Sequence, residues 1–214
     1  MKQITILGAT SLVGKKLIKK ALTKGIKIKA LVKNKEEIQE YSHSIEIIEG
    51  NYFNKNTLEQ ALKGAQIVVS VIEPTFNNKL SKDDEDKYIN IFRFILKQMQ
   101  VNHQNRWISI SNAGVKMSNE HLPLARKLLR VKIMETSKST MNVRDRELYL
   151  IEQSKLDWTV VRAPAIKEKV EGKFVADNHK FVGAMVDSNQ LSDFMLSEIL
   201  NKKWIKKAPV VGTK

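Results

Sequence analysis

The chain has 214 residues, of which 28% are charged and 7% are aromatic, a composition typical of a globular protein with one substantial core. It contains no cysteine, which excludes disulfides, thiolate nucleophiles and cysteine-bound zinc. The formal net charge of +14 favours anionic partners, such as phosphorylated small molecules, nucleic acid or an acidic membrane.

The sequence carries no signal for targeting, membrane insertion or metal binding. The longest apolar run, at 67–72, is interrupted by Ser70 and is far too short to cross a bilayer. The amino-terminal residues lack the sustained apolar segment of a secretory signal. The histidines are His43, His103, His121 and His179. Since no two of them have the spacing of metal ligands on a helix, we expect no metal site. The lack of long apolar segments leads us to expect a cytoplasmic protein without a membrane partner. We expect it to be a monomer or small homo-oligomer.

Short apolar runs alternate with amphipathic helical stretches along the first half of the chain. This alternation is typical of βαβ units around a parallel sheet. Strands are predicted at 4–7, 26–32, 45–48 and 67–72. A helix is predicted around Val13, Leu17 and Ala21, which share one apolar face. A second helix is predicted at 56–63, and a glycine follows each of the two.

The same alternation continues in the second half of the chain. Strands are predicted at 107–110, 157–161 and 208–211, with one or two more within 172–186. Helices are predicted at 88–99, over much of 115–155, and at 191–199. An acidic run at 83–86 precedes the first of these helices, Pro123 favours the start of the second, and Asp187 with Gln190 resembles a capping box before the third.

These elements together predict the fold class α/β. We expect a Rossmann-type doubly wound, mostly parallel sheet with helices on both faces. The sequence shows no internal repeat, low-complexity tract or linker. It therefore predicts a single domain over residues 1–214.

The strongest functional signal lies between the first strand and the first helix, where residues 8–14 read Gly-Ala-Thr-Ser-Leu-Val-Gly. A glycine turn at the carboxyl end of the first strand lets backbone N–H groups approach a pyrophosphate, and the helix amino terminus adds partial positive charge. A P-loop is excluded, because five residues separate Gly8 from Gly14 and Lys16 stands where that motif has serine or threonine. A plain βα turn without a ligand remains the alternative.

Further motifs extend this signal along the chain. The segments are GATSLVG at 8–14, ALVKN at 30–34, EGNYFN at 49–54, RWISISNAGV at 106–115 and LDWTVVRAPAI at 156–166. They resemble, in order, the G-A-T-G-x-x-G, A-L-V-R-N, G-D, R-x-x-x-x-S-S-A-G-V and L-D-W-T-I-V-R-P motifs of the atypical short-chain dehydrogenase/reductase family. Within that family the sequence is similar to NAD(P)H-binding proteins akin to biliverdin reductase B, a flavin reductase, and to the NmrA-like proteins.

The glycine turn and the resemblance together imply a set of cofactor-binding residues. They are Gly8, Thr10, Ser11, Leu12, Val13, Gly14, Lys33, Asn34, Asn51, Tyr52, Ser70, Val71, Ile72, Ser111, Pro164, Ala165 and Ile166. The resemblance further implies that the segments at about 115–140 and 165–186 form the walls of a substrate cleft.

The charge at the end of the second strand predicts which dinucleotide is preferred. NAD-specific sites place an acid there to bind the ribose hydroxyls, whereas this chain has Lys33, Asn34 and Lys35. A ribose 2′-phosphate beside Lys33 would gain a charge-assisted contact worth about 1.5–3 kcal/mol. The sequence therefore predicts that NADP(H) is preferred over NAD(H), with a merely solvated lysine as the alternative.

Three departures from the family pattern bear on the chemistry. Ser11 replaces the middle glycine of the turn, and Asn51 stands where the family usually has an aspartate beside adenine. The Tyr-x-x-x-Lys pair does not occur anywhere in the sequence. Reduction of an ordinary ketone needs a positioned proton donor such as that tyrosine, whereas a flavin or quinone accepts hydride as a delocalised anion that water can protonate.

Candidate catalytic residues are Ser111 and Asn112, which would orient the nicotinamide or the acceptor. Hydrogen bonding at the strand end is the alternative for both. The charge run at 144–147 is predicted to lie on a salt-bridged solvent face, although the corresponding region of relatives borders the active site.

The resulting hypothesis is an NADPH-dependent oxidoreductase that transfers hydride to a small conjugated acceptor of the flavin or quinone type. The alternative is a non-catalytic, NADP(H)-sensing regulatory protein of the NmrA-like kind. A nucleic-acid binder, which the net charge would suit, lacks a helix-turn-helix, zinc or aromatic-stacking motif, so no nucleic-acid partner is expected.

Overall fold

The computed structural model describes residues 2–72 and 80–214, and ten strands lie within those ranges. They are β1 (Gln3–Leu7), β2 (Lys27–Val32), β3 (Glu46–Glu49), β4 (Ile67–Ser70), β5 (Arg106–Asn112), β6 (Asp157–Ala163), β7 (Ala165–Lys167), β8 (Phe174–Asp177), β9 (Met185–Asp187) and β10 (Val210–Thr213). Eight of them form one sheet in the order β3-β2-β1-β4-β5-β6-β10-β8. Only the β8–β10 pairing in this sheet is antiparallel. The remaining strands, β7 and β9, form a separate parallel pair.

Helices cover both faces of the sheet. They are α1 (Leu12–Thr23), α2 (Lys55–Leu62), α3 (Lys82–Val101), α4 (Leu124–Glu152) and α5 (Ser188–Asn201), with a 3-10 helix at Lys35–Tyr41. One apolar cluster joins the sheet to α1 and α5 through residues such as Leu17 and Met195. A second cluster, which includes Leu58, Phe92 and Leu148, joins the opposite face to α2, α3 and α4. The predicted doubly wound α/β fold is therefore confirmed.

The strand order reverses between β1 and β4, which are both hydrogen-bonded neighbours in the sheet. In open α/β sheets of this type, ligands bind in the crevice outside the carboxyl ends of the strands at such a reversal. The turn after β1 and the residues after β4 therefore lie where a ligand is expected.

Several predicted elements differ from the observed ones in detail. The acidic run at 83–86 lies inside α3, with all but Asp86 in the first turn, and Ser81 caps the amino terminus of the helix. Asp187 caps α5 by accepting from the backbone N–H groups of Asn189 and Gln190. The Gln190 side chain bonds Gly172 and Thr213, so the reciprocal half of the predicted capping box is wrong.

The final strand lies two residues later than predicted, because antiparallel pairing with β8 extends from Val210 to Thr213. Neither β7 nor the 3-10 helix was predicted from the sequence. Within the described residues, no helix combines the length and apolar character needed to cross a membrane.

Candidate functional site

The turn between β1 and α1 holds its backbone close to the neighbouring strand. Gly8 has a φ of +85°, and a Cβ atom there would lie 2.8 Å from the backbone nitrogen of Ile72. Only glycine fits this position, because a side chain would meet both the steric cost of positive φ and a backbone atom. Gly14 is equally constrained, since a Cβ atom on it would lie 2.6 Å from the carbonyl oxygen of Ala9.

Ser11 acts as the amino-terminal cap of α1. Its backbone N–H donates to Gly8, and its Oγ accepts from the backbone N–H of Gly14 at 3.1 Å. The first-turn N–H groups of α1, which include those of Leu12 and Val13, have no acceptor within the helix and carry its partial positive charge. The departure from the family glycine thus preserves an anion-binding helix end and adds a hydroxyl beside it.

A cleft of about 510 Å³, which we call the turn cleft, opens over this segment. It is lined by Gly8, Thr10, Ser11, Leu12, Leu31, Val32, Lys33, Glu37, Gly50, Tyr52, Phe53, Val71, Ile72 and Tyr88. The geometry fits a dinucleotide, because it brings a glycine cradle, a helix amino terminus and the tip of β2 to one opening. Eight of the predicted cofactor-binding residues line it: Gly8, Thr10, Ser11, Leu12, Lys33, Tyr52, Val71 and Ile72.

Nine of the predicted cofactor-binding residues do not line the turn cleft, and four of these nine line no other cavity of the described residues. Val13 is buried in the core beside the sheet, and Gly14 acts through the close contact described above. Asn34 caps the 3-10 helix by accepting from the backbone of Glu36. Asn51 uses its side-chain oxygen to accept from the backbone N–H of Phe53. The side-chain oxygens of these two asparagines thus bond neighbouring backbone groups, and neither residue lines the cleft.

Lys33 shares the turn cleft with an acidic residue that no sequence motif indicated. Glu37 lines the same opening from the 3-10 helix, and both side chains are exposed. The neighbouring Lys35 is engaged with Glu49, to which its Nζ lies at 3.8 Å. The cleft therefore presents one cation, Lys33, and one carboxylate, Glu37, near the tip of β2. The lysine would attract a ribose phosphate, whereas the glutamate would repel it.

A second cleft of about 540 Å³, the α4 cleft, opens between β5, β6, β7 and the middle of α4, at 129–144. It is lined by Ile110, Ser111, Asn112, Leu129, Lys132, Ile133, Thr136, Thr140, Arg144, Ala163, Pro164, Ala165, Ile166 and Ala184. It contains the predicted residues Ser111, Asn112, Pro164, Ala165 and Ile166. Both predicted wall segments, 115–140 and 165–186, contribute to the lining.

An inner cavity of about 20 Å³ lies between the two clefts, beneath α3 and α4. It shares Tyr52, Ile72 and Tyr88 with the turn cleft, and it shares Ser111 and Arg144 with the α4 cleft. The predicted cofactor residue Ser70 lines this cavity and neither cleft. The two larger openings are thus adjacent, with a small space for about one water molecule between them.

Ser111 has a hydroxyl that is ready for a ligand. The residue is 6% exposed, and its Oγ has no hydrogen-bond partner among the described residues. Leaving a buried hydroxyl unpaired costs free energy, so such groups mark a ligand or water site. Asn112 differs, because its side-chain oxygen already accepts from the backbone N–H of Gly114. The geometry therefore favours Ser111 over Asn112 as the group that meets an acceptor.

Arg144 corrects the prediction of a solvent-facing charge run. The residue is 7% exposed and donates to the carbonyl oxygen of Ile72 and to Glu147. Thr140 lines the α4 cleft one helical turn earlier. Thr140 and Arg144 thus have the four-residue spacing of the absent Tyr-x-x-x-Lys pair, which places both on one helix face. That spacing is the sequence signal that could have identified them.

A buried ion cluster joins β6 to the start of α4. Glu120 accepts from both Arg126 and Arg162, and these arginines also bond backbone carbonyls, including that of Val115. Burial alone would raise the pKa of Glu120, but hydrogen bonds from Arg162 and Arg126 outweigh it and lower that pKa. The carboxylate is therefore ionised at neutral pH and ties β6 to the segment before α4.

Two tyrosines line the inner cavity: Tyr52, which was predicted to bind the cofactor, and Tyr88, which no motif indicated. Burial raises the pKa of Tyr52, and the Glu147 carboxylate adds to this increase. Burial likewise raises the pKa of Tyr88. Both phenols are protonated at neutral pH, and their raised pKa values make them weaker acids than an ordinary tyrosine.

The fold and the turn cleft define a dinucleotide-binding protein of the Rossmann class. The chain belongs to the NAD(P)H-binding family, whose model matches residues 8–202. A nicotinamide dinucleotide is the cofactor of this family, and the glycine cradle fits it. Comparison with curated proteins found no match.

Solved structures show the same fold across nearly the whole chain. A short-chain dehydrogenase/reductase from Veillonella parvula in complex with NADP is 21% identical, with a TM-score of 0.79 over 99% of this chain and 94% of that chain. A Rossmann-fold NAD(P)-binding family protein from Shigella flexneri is 20% identical, with a TM-score of 0.74 over 100% and 94%. ChuY, an anaerobillin reductase from Escherichia coli O157:H7, is 12% identical, with a TM-score of 0.74 over 99% and 97%. The predicted likeness to short-chain dehydrogenases/reductases is confirmed.

Proposed function

We propose that the protein is an NADPH-dependent oxidoreductase that reduces a small conjugated acceptor of the flavin or quinone type. The observation that carries this proposal is the adjacency of the two clefts. The turn cleft fits a dinucleotide, and the α4 cleft offers apolar walls with a few polar groups, as small-molecule sites do. Both border the inner cavity.

The residues of the chain position the reactants and exclude water. When bound, the reduced nicotinamide supplies the hydride. Pro164 and Ile166 form an apolar side of the α4 cleft, against which a flat ring packs. Ser111 offers a hydroxyl to an oxygen or nitrogen of that ring. Holding two reactants in contact in this way can contribute about 7–11 kcal/mol to lowering a barrier.

The acceptor class follows from the proton donors that the site offers. Thr140 stands where a catalytic tyrosine would be sought, and an aliphatic hydroxyl is a far weaker acid than a phenol. Tyr52 and Tyr88 have raised pKa values. A conjugated acceptor needs no strong acid at the moment of hydride transfer, because its product anion is delocalised.

Lys33 supports the preference for NADP(H). It lines the turn cleft at the tip of β2, where its ammonium would meet a ribose 2′-phosphate. Glu37 works against this preference, so we expect the discrimination to be smaller than that of a site with cations alone.

Dinucleotide titrations test this part of the proposal. Lys33→Asp is expected to weaken NADPH binding by at least tenfold, with a much smaller effect on NADH, because only NADPH carries the extra phosphate. Glu37→Gln is expected to strengthen NADPH binding by several fold. Lys24→Ala, which removes an exposed lysine at the opposite end of α1, serves as the control. Equal losses of NADPH and NADH affinity in Lys33→Asp would show that Lys33 does not select the phosphate.

A turnover assay tests the reaction itself. Loss of NADPH absorbance is followed with a panel of flavins, quinones and simple ketones. Oxidation by flavins or quinones but not by ketones is expected, with a lower kcat in Ser111→Ala. Oxidation by ketones at comparable rates would contradict the assignment of acceptor class.

One observation favours the alternative of an NADP(H)-sensing regulatory protein. Leu124, Leu128 and Val131 recur on one side of α4 and are 72%, 62% and 56% exposed. Apolar residues that share an exposed helix face suit binding to another protein. Tight NADPH binding without oxidation by any acceptor of the panel would favour this function over the reductase.

A further inference from the structure

The charged residues that line the α4 cleft are all cationic. They are Lys132 and Arg144, and the other lining side chains within the described residues are neutral. The turn cleft differs, because a lysine and a glutamate both line it. A site with one sign of charge attracts ligands of the other sign.

Arg144 brings hydrogen-bond donors to the inner end of this cleft. It is anchored by Glu147, which accepts at 2.7 Å, and by the carbonyl oxygen of Ile72. A guanidinium has five N–H donors, and these contacts use two of them. Since Glu147 offsets its charge, Arg144 contributes mainly directed hydrogen bonds, next to the unpaired hydroxyl of Ser111.

Lys132 brings net charge to the outer part of the same cleft. Its side chain is exposed and forms no ion pair among the described residues. Arg130, two residues earlier on α4, differs because it is paired with Asp145. Leu129 and Ile133 flank it on α4 and line the cleft with it. The helix therefore presents an unpaired ammonium at the edge of an apolar wall.

We propose that the α4 cleft binds conjugated acceptors that carry an anionic substituent. Lys132 holds the substituent, while Ser111 and Arg144 hold an electronegative ring atom at the inner end. This inference rests on the proposed function in treating the bound ligand as the hydride acceptor. The binding preference itself does not require turnover.

A matched ligand pair tests the preference. FMN and riboflavin share one ring system and differ by a phosphate, and the binding of each is followed by flavin fluorescence anisotropy. NADP⁺ is present at saturation so that the turn cleft is filled and no hydride is available. We expect FMN to bind about fivefold more tightly than riboflavin at low salt, which corresponds to about 1 kcal/mol for an exposed ion pair.

Variants assign the preference to Lys132. Lys132→Ala is expected to bring FMN affinity down to that of riboflavin, whereas Lys127→Ala, an exposed lysine of α4 that does not line the cleft, retains the preference. Ser111→Ala is expected to weaken both ligands about equally, since the ring is common to both. The preference should also shrink as salt is raised.

The outcomes separate this inference from the proposed function. Equal binding of FMN and riboflavin by the wild type, or an FMN preference that persists in Lys132→Ala, would overturn the inference. An FMN preference that depends on Lys132 upholds it even if no acceptor oxidises NADPH, a result that would refute the reductase alone.

Discussion

Replacing Glu120 by glutamine is expected to destabilise the protein strongly. The carboxylate is 4% exposed and pairs with Arg126 and Arg162, both of which are fully buried. Glu120→Gln would leave two buried guanidinium groups without their shared countercharge. Breaking a buried ion pair costs about 3–5 kcal/mol. We expect about 3 kcal/mol, because the glutamine amide oxygen still accepts one of the hydrogen bonds.

Thermal unfolding followed by circular dichroism measures this loss. For a chain of this length each kcal/mol lowers Tm by about 2–4 °C, so the expected decrease is about 6–12 °C. Glu49→Gln is the matched control, since it removes a carboxylate that is exposed and lies 3.8 Å from Lys35. Exposed ion pairs contribute at most about 1 kcal/mol. A Glu120→Gln variant whose Tm matches that of Glu49→Gln would refute the reasoning.

The pH dependence provides a second readout of the same cluster. Because folding lowers the pKa of Glu120, its contribution to stability is complete above the ordinary glutamate pKa. The contribution is lost as the pH falls through the lower, folded value. The gap in Tm between the wild type and Glu120→Gln should therefore be full at neutral pH and narrow in acid. A gap that does not change over this range would show that the carboxylate charge is not its cause.

Two further predictions concern the glycine turn and the far end of the sheet. Gly14→Ala is expected to lower NADPH affinity by at least tenfold in a fluorescence titration, because its Cβ would lie 2.6 Å from the carbonyl oxygen of Ala9. Gly25→Ala is the control, since its Cβ would meet no atom within 4 Å. This variant should bind NADPH normally despite a modest loss of Tm. Arg106→Leu is expected to cost about 3–5 kcal/mol in denaturant unfolding because it leaves Glu198 buried and unpaired at 1% exposure, whereas the double variant with Glu198→Leu should recover part of that loss. A double variant less stable than Arg106→Leu would contradict the second prediction.

The sequence predicted most of the fold because the information is local. Apolar runs of the right length specify the strands, and residues such as Leu17 specify the buried faces of helices. The 3-10 helix at Lys35–Tyr41 was missed, since its formation depends on a cap by Asn34 and on one buried residue, Ile38. The break in α4 at Ser137 was likewise not apparent, because the polar pattern on either side continues without interruption.

The sequence by itself also determined the glycine turn and its cofactor class. A Cβ atom on Gly14 would meet Ala9 within the same turn, and one on Gly8 would meet Ile72, just after the neighbouring strand β4. Because these positions require glycine, they form a motif that can be recognised in the sequence. The predicted role of Lys33 in cofactor preference followed from its position at the end of β2, because the apolar pattern of the sequence shows where that strand ends.

Only the tertiary structure decided the charges and donors that lie around the two clefts. Glu37 lines the turn cleft together with Lys33 because the chain turns into the 3-10 helix after β2. Arg144 is buried because α4 packs beside the residues that follow β4. The cluster at Glu120 joins residues up to 42 positions apart. Side chains brought together over such separations leave no periodic pattern in the sequence, since their contact depends on how the sheet and helices pack.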